Sequence, residues 1–154
     1  MLSPAKQLSL MISIVSKAFE KDLDKGGSPY ILHCFHVMSV AGKKSNNDYE
    51  LMAIGMGHDL KEDHPEFWHL VSVSGKFSDR VINGIETMTH DKDELYSDYI
   101  QRVSKNPDTL EIKMIDLDHN SKVTRMKGVK AKDLDRIVKY HESYHYLKSV
   151  KESK

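Results

Sequence analysis

Histidine beside a carboxylate is the residue pairing of metal sites and proton transfer. This chain of 154 residues holds nine histidines, several of them next to Asp or Glu. The densest group is Gly57-His58-Asp59-Leu60-Lys61-Glu62-Asp63, which follows the apolar run Leu51, Met52, Ile54, Met56. Crowded carboxylates repel one another, and a helix C-terminus disfavours them further. A cation placed between them removes both penalties. His58 and Asp59 supply two ligands, which is too few, and two further segments offer more. His33 follows the turn in Ser28-Pro29-Tyr30-Ile31-Leu32-His33, and Asp116 sits inside the apolar segment Ile115-Asp116-Leu117. A carboxylate buried there needs a partner, and a metal is one. His33, His58, Asp59 and Asp116 together form a mixed nitrogen and oxygen set that suits Mn²⁺, Fe²⁺ or Zn²⁺ better than Ca²⁺. Such a set leaves coordination positions open for water and substrate oxygens.

The elements that must position these groups read as helices almost throughout. Ser3-Pro4 resembles an N-cap followed by proline at the first helical position, with Leu8, Ile12, Val15 and Phe19 as the apolar stripe. The Gly26-Gly27-Ser28-Pro29 turn precedes a helix expected from about Tyr30 to Lys44. Asn47 with Glu50 reads as a capping box, opening a helix that continues to about Asp63. Pro65 opens a short helix ended by Gly75, and Phe77, Val81, Ile82, Ile85 and Met88 mark the next. Asp93 is the expected cap of a helix carrying Tyr96, Ile100 and Val103, with Tyr96 and Tyr99 in the core. Asn106-Pro107 starts the helix of Leu110, Met114 and Leu117. A last helix from about Ala131 carries the stripe Leu134, Val138, His141 and Tyr144. No two-residue alternation and no repeat interrupts the pattern. The expected fold is an all-α bundle of about seven or eight helices in a single domain over residues 1–154.

Composition narrows the function classes. With 39% hydrophobic and 30% charged residues the chain can build a core under a charged surface, unlike a disordered segment. Lys plus Arg equals Asp plus Glu at 23 each, so the basic surplus of a nucleic-acid binder is missing. One cysteine, Cys34, excludes an internal disulfide framework and a multi-cysteine zinc site, and it reads as a packing residue. No apolar run reaches the roughly 18 residues of a membrane span, and the N-terminus lacks signal-peptide features. The expected location is cytoplasmic, with a small-molecule nucleotide as partner and neither nucleic acid nor membrane.

The order His…His-Asp…Asp resembles that of the HD-domain metal-dependent phosphohydrolases, an all-α superfamily. More narrowly, Gly26-Gly27-Ser28-Pro29-Tyr30-Ile31-Leu32-His33, Gly57 to Asp63, Met88-Thr89-His90 and Ile112 to Ser121 resemble the hydrolase domain of the RelA/SpoT family. The small single-domain alarmone hydrolases share this order and spacing, and the resemblance runs from about Lys17 to Tyr146. It implies Mn²⁺-dependent hydrolysis of the 3′-pyrophosphate of guanosine tetra- or pentaphosphate, with release of pyrophosphate. It places the metal on His33, His58, Asp59 and Asp116. Glu62 and Asp63 match the acidic pair that positions and deprotonates the attacking water. Asn120 matches a ribose-contacting residue, Lys25 a basic residue of the nucleotide pocket, and Lys92 and Arg136 phosphate-binding cations. Two positions depart from the family pattern. Asp24 stands where an arginine able to stack on guanine is common, and Cys34 stands where proline is usual. Asp24 keeps a second reading open, an HD phosphohydrolase for a nucleoside monophosphate or NADPH. A non-catalytic nucleotide sensor is a third, disfavoured by the presence of Glu62 and Asp63.

Two other patterns bear on the reading. Lys122, Arg125, Lys127, Lys130 and Lys132 form an acid-free segment after Asn120, fit either to face a polyphosphate or to be a solvated loop. His141-Glu142-Ser143-Tyr144-His145 matches the HExxH pattern of zinc proteases. That chemistry needs a third ligand, for which Glu152 is the sole downstream candidate, while Lys148 and Lys151 repel a cation.

Overall fold

Proline at a first helical position sets three helix starts, because its missing N–H is one the first turn cannot use. In the computed structural model, which describes residues 1–154, these open α1 (Pro4–Ala18), α5 (Pro65–Ser72) and α8 (Pro107–Asn120). The others are α2 (Ile31–Ser45), α3 (Tyr49–Gly57), the single turn α4 (Leu60–Asp63), α6 (Asp79–Met88), α7 (Tyr96–Ser104) and α9 (Ala131–Glu152). A 3₁₀ turn at Val123–Arg125 links α8 to α9, and the only strand-like pairing is an isolated bridge between Leu23 and Pro29. The chain is therefore an all-α bundle, with eight helices of at least eight residues. No helix is long and apolar enough to cross a membrane.

Helix α3 is the central element. It packs on α1, α2, α6 and α8, and Ile54 and Met56 are fully buried among Met11, Ile85 and Ile112. Gly84 of α6 lets that contact close, since a β-carbon there would lie 2.5 Å from Ile54 Cδ1. The tight α3–α6 contact fixes the C-terminal end of α3, where the His58-Asp59 segment begins.

Four local expectations are corrected. Asn47 does not cap α3; Asn46 and Asn47 both adopt positive φ to close the turn, and Asp48 caps instead, accepting the Glu50 and Leu51 N–H groups at 3.1 Å. Nor does α3 run unbroken to Asp63. His58 Nδ1 donates to the Gly55 carbonyl at 2.7 Å, the acceptor that a continuing helix would offer to the Asp59 N–H. The ladder stops at Gly57 and restarts at Leu60. At α7 the preceding position is Leu95, without a side-chain cap; Asp93 lies outside the cap in the preceding loop. Arg102 shapes that loop, bonding Glu94 and the Thr87 and Thr89 carbonyls at 2.8–2.9 Å. Helix α9 is rotated from its expected phase. Leu134 and Val138 are exposed, whereas Asp133, Ser143 and Leu147 are buried. The Asp133 carboxylate explains the start of this helix, accepting the Lys130 N–H at 2.9 Å and an Arg136 N–H at 3.0 Å.

Candidate metal centre

Three elements bring the predicted ligands to one point. The first turn of α2 carries His33, whose N–H donates to the Tyr30 carbonyl at 2.9 Å. The break between α3 and α4 places His58 and Asp59, and α8 places Asp116. His33 and His58 are each 1% exposed and Asp116 is 4% exposed, so these groups have left water almost completely. Their ligand atoms face one another. His33 Nε2 is 3.2 Å from His58 Nε2 and 3.1 Å from Asp116 Oδ1. His58 Nε2 is 3.0 Å from Asp59 Oδ2 and 3.5 Å from Asp116 Oδ1, and Asp59 Oδ2 is 3.9 Å from His33 Nε2. Ligands about 2.1 Å from one ion stand roughly 3.0–3.4 Å apart; the 3.0, 3.1 and 3.2 Å separations fall in that range, and the 3.5 and 3.9 Å ones lie just beyond it. His33, His58 and Asp59 form a cluster that could hold a metal ion, and Asp116 adjoins it through both imidazoles.

The surrounding hydrogen bonds prepare the donors for that task. Donation from His58 Nδ1 to the Gly55 carbonyl leaves Nε2 as the nitrogen that faces the centre, free to bind a metal once its proton is displaced. His33 Nδ1 lies 2.7 Å from His119 Nδ1. A lone pair on His33 Nε2 puts its proton on Nδ1, which then donates to His119. Tyr30 Oη donates to Asp59 Oδ2 at 2.5 Å, Asn120 Nδ2 donates to Asp116 Oδ1 at 2.7 Å, and Lys113 donates to Asp116 Oδ2 at 2.9 Å.

Electrostatics favour charge in this buried cluster. Burial by itself disfavours the His58 imidazolium, but Asp59 and Asp116 outweigh it and hold the group well above its ordinary value. Burial likewise opposes the Asp116 carboxylate, yet Lys113, His33 and His58 keep it well below the usual range. Without a metal, a proton on His58 neutralises the carboxylates, and a metal must displace it. Because the folded value lies above 6.5, this proton stabilises the metal-free fold fully below about pH 6.5. That stabilisation is lost as pH rises through the folded value. Uptake of a divalent metal ion at pH 7, with Mn²⁺ as the probe, is therefore expected to release a proton and to weaken by up to about tenfold per unit as pH falls. Calorimetry in two buffers of different ionisation enthalpy measures the release; uptake independent of pH would remove His58 from the ligand set.

The centre forms part of the wall of a cavity of about 340 Å³, lined also by Tyr30, Glu62, Asp63, His90, Lys113, Asn120 and Lys139. Glu62 and Asp63 lie on α4, exposed to this space and outside the ligand cluster. Burial, Asp59 and Glu62 push the Asp63 carboxyl up to about 6. A second cavity of about 330 Å³ shares Tyr30, Asn120 and Tyr140 with the first and holds Lys25, Arg125 and Arg136. Lys92 lines neither; it is exposed on the 89–95 loop, and His90 faces the first cavity instead. Asp24 is engaged in structure. Its Oδ1 accepts the Gly26 and Ser28 N–H groups at 2.9 Å, and its Oδ2 lies 3.5 Å from Arg125. Arg125 in turn donates to Asn120 Oδ1 at 3.3 Å.

Tyr30, Lys113, His119 and Lys139 were not marked as site residues by the sequence. Tyr30 and His119 lie inside the motifs, and Lys113 precedes Asp116 by three residues, the spacing of a helix ion pair. Lys139 carries no such signal. His141 and His145 are exposed on α9 with ring centroids 4.4 Å apart, and no third group joins them. Their double substitution by alanine is expected to leave metal content within error of the parent by atomic absorption. Loss of metal would transfer the site to α9. Neither a scan against protein-family models nor a search of curated proteins finds a match for the chain.

Proposed function

We propose that the chain is an HD-type, metal-dependent phosphohydrolase that removes the 3′-pyrophosphate of guanosine tetra- or pentaphosphate. The observation that carries this reading is the convergence of two imidazole Nε2 atoms and two carboxylates at a cavity that also holds free carboxylates and lysines. Mn²⁺, with Zn²⁺ or Fe²⁺ as alternatives, would be held by His33, His58, Asp59 and Asp116 and would supply Lewis acidity toward a phosphoryl oxygen.

The chain's own groups account for the remaining steps. Glu62 and Asp63 face the cavity, and the raised Asp63 value puts a proton acceptor nearer neutral pH than an ordinary carboxylate. Water adds to phosphorus, one of its protons passes to this acidic pair, and the bond from phosphorus to the 3′ oxygen breaks. Pyrophosphate leaves, and the 3′ oxygen takes a proton to become a hydroxyl. Asn120, fixed between Asp116 and Arg125, presents its amide at the junction of the two cavities, where a ribose would sit. Lys25 and Arg136 line the second cavity and supply positive charge for the remaining phosphates.

Asp24 favours a second reading. Its carboxylate is spent on the glycine turn and on Arg125, so it provides no planar cation for guanine. An HD phosphohydrolase for a nucleoside monophosphate or NADPH fits that feature. A release assay separates the two. Purified protein with Mn²⁺ is offered guanosine tetraphosphate, GTP, NADPH and deoxynucleoside monophosphates in parallel. Pyrophosphate released fastest from guanosine tetraphosphate is the expected result, and faster phosphate release from any of the others replaces it with the second reading.

A further inference from the structure

The wall of the first cavity contributed by α7, α8 and α9 carries polar hydrogens that no protein atom accepts. Tyr96 Oη is buried and makes no hydrogen bond, an unusual state for a phenolic hydroxyl in a folded chain. Lys139 forms no ion pair; its ammonium lies 4.3 Å from the Tyr96 ring centroid and 5.7 Å from that of Tyr140. Lys113 is a nearly enclosed ammonium, its side chain 12% exposed, and only Asp116 Oδ2 accepts from it. An ammonium has three donors, so two remain unused. All three side chains line the same cavity as Asp59, Glu62 and Asp63.

An orphaned hydroxyl and two ammonium groups with spare donors form an acceptor-poor wall facing a donor-poor one. We propose that Lys113, Lys139 and Tyr96 form a subsite for a phosphoryl or pyrophosphate anion across the cavity from the acidic pair. The anion accepts hydrogen bonds from Lys113 Nζ and Lys139 Nζ, and from Tyr96 Oη after a small turn of its ring exposes the buried hydroxyl to the cavity; none of these donors needs to leave a protein partner. Lys113 is also paired to Asp116, so the anion and the metal-ligand set are joined through one side chain. The subsite holds the group that departs in hydrolysis, and in that assignment it rests on the proposed function. Its existence as an anion site does not.

The test uses inorganic pyrophosphate titrated into the full chain by isothermal calorimetry, first metal-free and then with one equivalent of Mn²⁺. Charge-assisted hydrogen bonds at a partly solvated site set the expected size. Lys139→Gln is expected to weaken pyrophosphate binding about 5- to 20-fold, and Tyr96→Phe about 3- to 10-fold. Tyr96→Phe removes a hydroxyl with no partner, so its Tm without ligand is expected to equal or exceed the parent's. Lys132→Gln, in a neighbouring groove that Lys139 also borders, is expected to change affinity less than twofold. Parent-like affinity in both Lys139→Gln and Tyr96→Phe overturns the subsite, as does the absence of binding by the parent. Loss of affinity in Lys132→Gln, alone or together with Lys139→Gln, moves the anion to the neighbouring groove and overturns it too. Failure to release pyrophosphate from guanosine tetraphosphate, with Lys139-dependent pyrophosphate binding intact, removes the proposed function and leaves the subsite standing.

Discussion

Glu62→Gln is expected to lower kcat by about 10²–10⁴-fold while metal content stays near that of the parent. The geometry sets this separation. Glu62 is outside the group of converging ligand atoms, exposed on α4, with its Oε2 3.4 Å from the His90 N–H. The glutamine keeps shape and hydrogen bonding but cannot take a proton. KM is expected to change little, because the interaction removed is used mainly in the transition state. Asp63→Asn is expected to behave similarly. Asp63 makes no side-chain hydrogen bond in the structure, and Asp59 and Glu62 both act to raise its carboxyl. Where two carboxylates share one proton, removing the second adds less than removing the first. The double variant is therefore expected to lose less than the product of the single losses. Steady-state kinetics with metal analysis on the same preparations decides the matter. Loss of metal in Glu62→Gln makes Glu62 a ligand; unchanged kcat withdraws the proton-acceptor role.

Asp116→Ala is expected to abolish bound metal and activity, and to destabilise the fold by about 3–5 kcal/mol, the cost of breaking a buried pair. Asp116 Oδ2 is the sole hydrogen-bond acceptor for the Lys113 ammonium, and Oδ1 takes the Asn120 amide and faces both imidazoles. With alanine, a buried ammonium and a positively inclined His58 lose their shared counter-charge. Asp116→Asn is expected to cost less, since Oδ1 persists as an acceptor, yet to weaken metal binding. His58→Ala tests the same site with a smaller folding penalty, because His58 bonds only the Gly55 carbonyl outside the cluster. Urea unfolding and metal analysis read the two effects separately. Parent-like metal content in folded Asp116→Ala and His58→Ala removes the centre from these residues.

Residue types and local spacing already determined much of this protein. The helix starts at Pro4, Pro65 and Asn106-Pro107 are local preferences, and each appears where the sequence put it. The identity of the ligand candidates was legible for a related reason. A histidine-aspartate pair after an apolar helix, and an aspartate inside another, are costly choices unless something compensates. What the sequence could not supply were relations between distant segments and the phase of a helix whose buried side is polar. Asp24 meets Arg125 across 101 positions, and His33 meets His119 across 86. Periodicity counts apolar side chains, so it assigned Leu134 and Val138 to the inner face of α9. The tertiary structure instead buries Asp133 and Ser143, sets Arg136 and Tyr140 in the wall of a charged cavity, and leaves the two aliphatic residues in solvent. The same rotation brings Lys139 to the cavity. Where the interior is a polar cavity, burial no longer follows hydrophobicity, and only the packing of the other helices decides which face of α9 points in.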